Sequence, residues 1–377
     1  MSNRLVYLGL PKKIEPNRRF HLKSIYLPIG KIGGKPSWLN PTTVPKATEV
    51  QCEICEKPMA LVVQVYATDP ADHEHAFHRY LYVFVCRNPE CSKLNNSSNL
   101  KVLRCQLPRE NDFYSGESRL VPGEEEVEDP FFNEKAFNKT CSTCGLKAAS
   151  RCSKCDKAWY CGRDHQILDW TRGHKAECAE GEVTNPSENT FLFPEYALQM
   201  TTYEEFAFDP DDYSDDEDEE MDENLEFESK QLEKLKIVQE EMKEKGIGAD
   251  GKELDEMDEK KDKLYKYFTD LVQDNPEQVF RYARGAEPLL SSDYSPKPSE
   301  IPPCELCQAP REFEFQLMPH LISLMEVDAI GQSIDWSTVL IYTCSKRCSI
   351  PKFGYAKEFV FKQDFVDPKD EVETVEE

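Results

Sequence analysis

Alternating apolar and polar positions along the chain predict six short β-strands in two matching groups of three. In such a segment, successive side chains point to opposite faces of a strand. The segments are LVVQVYA (61–67), YLYVFVC (80–86) and LKVLRCQ (100–106), then FEFQLMP (313–319), TVLIYTC (338–344) and KEFVFKQ (357–363). The pattern predicts a mainly β protein, α+β overall, in which one β unit is used twice.

Spacing within the two groups supports this repeat. Pro36 and Pro288 each lie sixteen residues before a Cys-x-x-Cys pair, and Gln64 then aligns with Gln316. Fifteen residues beyond Cys91 lies Gln106, and fifteen residues beyond Cys348 lies Gln363. Repetition at fixed spacing indicates an internal duplication. Because each unit has only a few strands, we expect the two to pack as one body.

Each repeat also carries a second cysteine pair at the end of its next strand. Two such pairs can close on one ion as in zinc ribbons, and four thiolates leave no position for water or substrate. The predicted sites are therefore structural, with a metal that contributes folding energy. The alternative is reduced, buried cysteines without a metal, since the loop between the pairs is long. The predicted ligands are Cys52, Cys55, Cys86 and Cys91 for one zinc, and Cys304, Cys307, Cys344 and Cys348 for another.

The stretch from Cys141 to Cys178 holds six cysteines and two histidines. Its ligand order and its aromatic residues resemble a MYND zinc finger, and ligands four residues apart share a helix face. His165 stands where the commoner MYND pattern has cysteine, yet histidine is a competent ligand. By this resemblance the pairs interleave on two zinc ions, bound by Cys141, Cys144, Cys161 and His165, and by Cys152, Cys155, His174 and Cys178.

Four such sites need sixteen ligands, and the chain has 15 cysteines and 7 histidines. The scheme uses all the cysteines except Cys105, which aligns with Lys362 and is predicted to be a strand residue without a metal role. His73, His75 and His78 lie in a polar segment between strands, where a solvated loop and adventitious metal binding are the two interpretations.

Acidic residues dominate the composition, with 71 Asp and Glu against 46 Lys and Arg and a net charge of −25. This charge argues against direct nucleic-acid binding and favours a basic partner. In residues 209–226, twelve of eighteen positions are acidic and none is basic, so this run repels itself and is predicted to be disordered. It is either a solvated linker or a docking strip for a cationic client.

Opposite charges three or four residues apart predict helices at 231–245 and 258–273, with a break at GIGADG between them. Asp274, Asn275 and Pro276 then predict a cap and a short helix that continues through Tyr282. The expected domains are an N-terminal ribbon-like repeat (1–130), the zinc finger (138–180), an acidic linker with a charged helix (205–257), and leading helices with the C-terminal repeat (258–377).

No apolar signal segment follows Met1, and no apolar run is long enough to cross a bilayer. We therefore expect a protein of the cytoplasm and also the nucleus, monomeric and without membrane contact. In that reducing environment, closely spaced cysteines are metal ligands more often than disulfide partners.

Segments along nearly the whole chain resemble the programmed cell death protein 2 family. They include GKIGGKPSWL, CEICEKPMALVVQVYA, the histidine-variant finger, RYARGAEPLL and CELCQAPREFEFQLMP. The resemblance implies a non-enzymatic chaperone that captures a newly made small-subunit ribosomal protein, the eukaryotic relative of bacterial S-five, and delivers it for 40S assembly. Lysine methyltransferases also contain MYND fingers, but the flanks here belong to the ribbon repeat, and Walker, Gly-x-Ser-x-Gly and His-Glu-x-x-His motifs are absent from the sequence.

The alternative function is a MYND adaptor in transcriptional or apoptosis-linked signalling. In that case Trp159, Tyr160 and Trp170 would line a groove for proline-containing peptides. The other interpretation is that these aromatic residues, Trp170 above all, pack the small core of the finger. In the chaperone interpretation, the β body carries the client. Exposed strand edges near Gln64, Gln316 and Phe315 would then bind an extended segment by sheet addition.

Overall fold

The computed structural model describes residues 3–69, 73–114, 123, 125–126, 137–180, 190–206, 208, 262–327 and 333–365. The predicted acidic run at 209–226 and the predicted helix at 231–245 lie outside these ranges. Within them, no helix combines the length and the apolar character needed to cross a membrane.

Ten strands form a closed barrel, and two more form a separate small sheet, which confirms the mainly β prediction. The barrel order is β1-β8-β2-β3-β4-β5-β12-β11-β10-β9, with β9 returning to β1. The bounds are β1 Asn3–Lys12, β2 Gly30–Ile32, β3 Ala60–Tyr66, β4 His78–Val85, β5 Leu100–Leu107, β6 Ser150–Arg151, β7 Trp159–Tyr160, β8 Tyr196–Phe206, β9 Phe280–Tyr282, β10 Arg311–Leu317, β11 Thr338–Cys344 and β12 Tyr355–Gln363.

Two halves of the barrel repeat the same strand arrangement. Strands β2 to β5 form one half and β9 to β12 the other, and the halves meet where β5 pairs with β12. On the opposite side, the long antiparallel pair β1–β8 joins them. The two predicted repeats therefore share one barrel, as expected for units too small to close on their own.

The repeat extends to individual hydrogen bonds. Gln64 accepts a bond from the Ser37 N–H and donates one to the Ser37 carbonyl, at 2.9 and 3.0 Å. Gln316 makes the same two bonds to Leu289, both at 2.9 Å. Each glutamine thus fixes the loop that follows the repeated proline. The two halves also share a β-bulge-like shift in strand register at matching positions of β3 and β10.

The expectation of free strand edges at these residues is wrong. Gln64, Gln316 and Phe315 are all buried, and β3 and β10 each pair with a strand on both sides. A closed barrel has no unpaired edge at these strands to which a client segment could be added.

Strand register also corrects one sequence alignment. In the first half, Gln64 pairs with Tyr82 of β4, which in turn pairs with Leu103 of β5. In the second half, Gln316 pairs with Leu340 of β11, which pairs with Phe361 of β12. Gln363 is therefore the counterpart of Cys105, and Lys362 is not. The alignment of Cys105 with Lys362 is therefore shifted by one residue. In a strand, a shift of one residue places a side chain on the opposite face of the sheet.

Apolar side chains from both halves form a shared interior cluster. It includes Val65, Leu81 and Val83 of the first half and Phe315 and Val339 of the second, all buried. An interior built jointly from both halves gives neither half a complete core of its own.

A helix packs on the outside of the second half. It spans Lys263–Asp274, begins with the Asp262 side chain accepting a bond from the Tyr265 N–H at 2.8 Å, and buries Phe268 in a cluster with Leu289 and Met318. This agrees with the helix predicted at 258–273, of which residues 258–261 are not described. The next predicted helix is wrong, because its last residues, Phe280–Tyr282, form β9 between β1 and β10.

The zinc finger packs against the outer side of the first half. The Trp38 indole N–H donates to the Gly145 carbonyl at 2.7 Å, and the Lys147 N–H donates to the Pro45 carbonyl at 2.9 Å. Gly145 has φ +79°, and a Cβ there would lie 3.1 Å from the Pro36 ring. The finger therefore packs closely on the barrel through a glycine that both the turn and this close approach require.

Candidate metal centres

All sixteen predicted ligands lie in four groups, divided as the sequence predicts. Within each group the ligand atoms lie within 4.8 Å of one another. The groups are Cys52, Cys55, Cys86 and Cys91; Cys141, Cys144, Cys161 and His165; Cys152, Cys155, His174 and Cys178; and Cys304, Cys307, Cys344 and Cys348.

Sulfur–sulfur distances fit a tetrahedral zinc ion. With zinc–sulfur bonds of about 2.3 Å, two thiolates of a tetrahedron lie about 3.8 Å apart. The observed separations are 3.5 Å for Cys55–Cys86, 3.6 Å for Cys144–Cys161, 3.7 Å for Cys304–Cys348 and 3.9 Å for Cys152–Cys178. A disulfide needs about 2.05 Å. All four groups therefore suit zinc.

The same backbone turn positions the first two ligands in both ribbon groups. The Cys52 N–H donates to the Lys57 carbonyl, and the Glu56 N–H donates back to the Cys52 carbonyl, both at 2.9 Å. In the second half, Cys304, Ala309 and Gln308 make the same pair of bonds. Glu56 and Gln308 have φ of 58° and 60°. These turns place both sulfur atoms of a Cys-x-x-Cys pair on one side.

Backbone N–H groups also point at ligand sulfur atoms. The Ile54 N–H donates to Cys52 Sγ and the Asn88 N–H to Cys86 Sγ, each at 3.4 Å. Such donors stabilise thiolate charge and orient the ligands.

The finger uses the same turn, and its ligands interleave as the resemblance implied. His165 Nδ1 lies 3.2 Å from Cys161 Sγ, and His174 Nε2 lies 3.5 Å from Cys155 Sγ. His165 belongs to the helix Arg163–Asp169, which a wider turn at Trp170–His174 connects to the helix Lys175–Glu180. The chain is kinked at Gly173, which has φ 177°, so two helices joined by a kink supply ligands to both groups of the finger.

Cys105 and the histidines of residues 73–78 lie outside every ligand group in the described part of the chain. Cys105 lies in β5, and burial raises the pKa of its thiol to about 12, which makes it unreactive. His78 Nδ1 is 2.8 Å from the Tyr66 hydroxyl, and His75 Nε2 is 2.9 Å from the Arg347 carbonyl. These contacts favour ordinary structural roles.

Three aromatic residues of the finger were expected to line a peptide groove, and one of them, Tyr160, is not available to do so. Its ring is fully buried and its hydroxyl donates to Asp169 at 2.7 Å. Trp159 and Trp170 are half-buried, and the Trp170 ring lies against His174 with 5.9 Å between centroids. Tyr160 therefore belongs to the core of the finger.

The fold and the ligand groups together define a β-barrel protein of the structural zinc-finger class. Each group uses four protein ligands, so none offers the open position of a catalytic zinc site. Models of the N-terminal and C-terminal domains of programmed cell death protein 2 match residues 6–120 and 262–364, and the MYND finger model matches residues 141–178. None of the three models describes a catalytic domain.

Programmed cell death protein 2 of Bos taurus is 37% identical over 366 residues, covering 94% of this chain and 96% of the relative. The Rattus norvegicus protein is 36% identical, covering 93% and 95%. The chain belongs to the programmed cell death protein 2 family. A shorter match, 40% identical over 114 residues, covers 26% of this chain and 28% of the Schizosaccharomyces pombe protein named Probable 20S rRNA accumulation protein 4.

The two ribbon groups were predictable from cysteine spacing, and the two finger groups from the resemblance to a MYND finger. The packing of the finger against Trp38 and the pairing of charged residues inside the barrel were not, since neither has a local sequence signal.

Proposed function

We propose that the protein is a non-enzymatic carrier for a newly made, basic ribosomal protein of the small subunit, acting in 40S assembly. The observation that carries this proposal is the similarity to a fission-yeast protein named for rRNA accumulation. The chemistry of the chain agrees, since the four ligand groups among the described residues each have four protein ligands and the net charge is −25.

Charge gives a physical reason for such a carrier. A ribosomal protein presents a basic surface that associates with any polyanion it meets before it reaches its own RNA. A strongly acidic protein attracts that surface at long range and repels nucleic acid. An acidic carrier can therefore hold the client until the correct RNA competes for the same surface.

One exposed part of the barrel suits a basic, partly apolar client. Leu5 and Tyr7 of β1 are 52% and 42% exposed, and their cross-strand partners on β8 are Glu204 and Thr202, also exposed. Directly paired residues of two strands share one face of a sheet. We name Leu5, Tyr7, Thr202 and Glu204 the β1–β8 face.

The acidic run starts close to this face along the chain. Strand β8 ends at Phe206, the cross-strand partner of Asn3, and the run begins at residue 209. The connection tethers the run to the end of the barrel that carries Leu5. We propose that the β1–β8 face contacts the client and that the acidic run speeds its approach.

The test is pull-down of the small-subunit protein from translating cells, with the tagged full chain as bait. The variant Leu5→Ser with Tyr7→Ser should lose most of the client, because both side chains are already exposed and their replacement leaves the barrel intact. Leu94→Ser is the matched control, since Leu94 is 63% exposed elsewhere. Equal recovery with both variants would remove the β1–β8 face from the proposal.

Cell fractionation tests the proposed compartment. A carrier that meets its client during translation should appear on polysomes and in both the cytoplasm and the nucleus. A MYND adaptor of transcription should instead follow chromatin, so exclusive recovery in the chromatin fraction would favour the alternative function.

A further inference from the structure

A pocket of about 540 Å³ lies between the zinc finger and the first ribbon. One wall is the finger helix, with Ile167 and Leu168, and the other is the ribbon, with Pro58 and Arg87; Phe191 also lines it. Its volume falls in the range of about 300–1,000 Å³ that binding pockets occupy. Ile167 is 50% exposed. The pocket therefore offers an apolar, accessible surface between two zinc-stabilised walls.

Arg87 supplies the pocket with an uncompensated positive charge. Its guanidinium stacks on the ring of Phe193 at 4.4 Å from the centroid, and Phe193 is buried. The side chain makes no hydrogen bond or ion pair with any residue that the structure describes. Most other half-buried or buried arginines here do have carboxylate partners, including Arg104 with Glu358 and Arg281 with Glu205. Arg87 is thus held in place with its donors unused.

Two more charged groups line the pocket. Lys57 and Asp164 are both exposed at its walls, so the lining carries two positive charges and one negative charge. This small excess of positive charge lies in a chain whose net charge is −25. A carboxylate suits Arg87, because the planar guanidinium can donate two parallel hydrogen bonds to it.

We propose that this pocket binds a short internal segment of a partner protein in which an aspartate or glutamate lies next to a large aliphatic residue. The carboxylate pairs with Arg87, and the aliphatic side chain packs against Ile167, Leu168 and Phe191. The segment differs in charge from the basic client, so this is a second binding activity on a different surface from the β1–β8 face.

Selection from displayed random heptapeptides tests the proposal. The bait is the full, zinc-loaded chain, and two libraries are used. In the first library, linkers flank both ends of the heptapeptide. In the second, the heptapeptide ends in a free carboxyl terminus. The wild-type chain should enrich Asp or Glu within two residues of Leu or Ile from the first library. The Arg87→Gln chain should lose that enrichment. Arg109→Gln is the matched control, because Arg109 stacks on Phe77 away from the pocket.

Affinities of the enriched peptides, measured by fluorescence anisotropy, separate the two contacts. Arg87→Gln should weaken acidic peptides by about tenfold or more, and should have little effect on their Gln-substituted forms. Ile167→Ser should weaken both forms alike. Unchanged zinc content shows that each variant is folded.

Three results would overturn the proposal. The same peptides could be enriched by the wild-type and the Arg87→Gln chains, enrichment could occur only with the free carboxyl terminus, or basic or proline-rich peptides could be selected. Pull-down of the ribosomal client by the Arg87→Gln chain should equal that of the wild type. Failure of the peptide selection and failure of the carrier function are therefore distinguishable.

Discussion

Arg79 of β4 and Glu314 of β10 are paired across the inside of the barrel, although the two strands are not neighbours. Both terminal guanidinium nitrogens, Nη1 and Nη2, donate to the carboxylate, the second at 2.6 Å, and neither side chain is exposed. Burial alone would raise the pKa of Glu314, but Arg79 and Arg284 outweigh it and lower that pKa well below its usual range. The first half supplies the cation and the second half the anion, so the pair holds the halves in register.

Glu314→Ala should destabilise the fold strongly, by about 3–5 kcal/mol, because it leaves the fully buried Arg79 without its carboxylate. The measurement is urea unfolding of the zinc-loaded chain. Lys297→Ala removes an exposed pair with Asp293 and should cost less than about 1 kcal/mol. Equal effects of the two variants would mean that the interior pair does not form in solution.

The effect of Glu314 on stability should be independent of pH near neutrality. Because its pKa is lowered by folding, its contribution is complete above the unfolded-state value of about 4.3 and is lost as the pH falls through the folded-state value. The difference in unfolding free energy between wild type and Glu314→Gln should therefore stay constant between about pH 5 and about pH 8. A difference that declines within that window would contradict the assignment.

Metal analysis should find four zinc ions per chain after mild chelation, because four groups of four ligands have tetrahedral spacing. Cys304→Ala with Cys307→Ala should remove one ion and unfold the second ribbon, since metal binding there contributes folding energy. Cys105→Ala is the control and should leave the zinc content unchanged. A wild-type content of about two ions would restrict metal binding to the finger.

Gln64→Ala and Gln316→Ala should be destabilising to a similar extent. Each removes two hydrogen bonds to a loop and leaves the N–H of Ser37 or Leu289 without its side-chain acceptor, at a cost of about 1–3 kcal/mol. Thermal unfolding measures both. Gln199→Ala, on β8, is a control at a surface position of a strand. A large effect at only one of the two glutamines would show that the halves are not energetically equivalent.

Much of the fold was predictable because its signals are local. Cysteine spacing identified the two ribbon groups, and resemblance to the MYND finger gave the two interleaved groups. Apolar alternation placed six strands within a few residues of their observed bounds. The repeated Gln64 and Gln316 were found from spacing alone, and the structure gives them the same role. Their assignment to free edges failed because closure of the barrel depends on β1, β2, β8 and β9, which the alternation pattern did not reveal.

Long-range pairing explains the remaining errors. Phe280–Tyr282 follows a strong helix-start signal, yet pairing with β1 and β10 makes it a strand. The partners of Arg79 and Arg104 lie more than two hundred residues away, at Glu314 and Glu358. No local pattern specifies which distant carboxylate an arginine meets, so the charged interior of the barrel became known only from the structure.

Limited proteolysis should cut first within residues 209–226, and the two fragments should remain together on a sizing column. The barrel explains the second outcome, since β1 pairs with β9, and β5 pairs with β12, across the two fragments. Their apolar interior is also shared. Two fragments that elute separately and remain folded would contradict a single barrel.

Neutralising the acidic run should slow client capture without preventing it. Acidic charges attract a basic protein from a distance, so they raise the association rate more than the final affinity. Replacing residues 215–220, all of them acidic, by Ser and Asn should lower the association rate by several-fold to about tenfold at low salt and weaken its salt dependence. Stopped-flow or biosensor kinetics with the purified client measure the association and dissociation rates.

A matched control distinguishes the position of the run from net charge. Residues 367–377 also hold six acidic side chains, at Asp367, Asp370, Glu371, Glu373, Glu376 and Glu377. If the acidic run acts because β8 tethers it beside the β1–β8 face, its neutralisation should slow association more than the same change at 367–377, with dissociation unchanged in both. Equal slowing would assign the effect to net charge alone, and faster dissociation from the first variant would place the run within the bound complex.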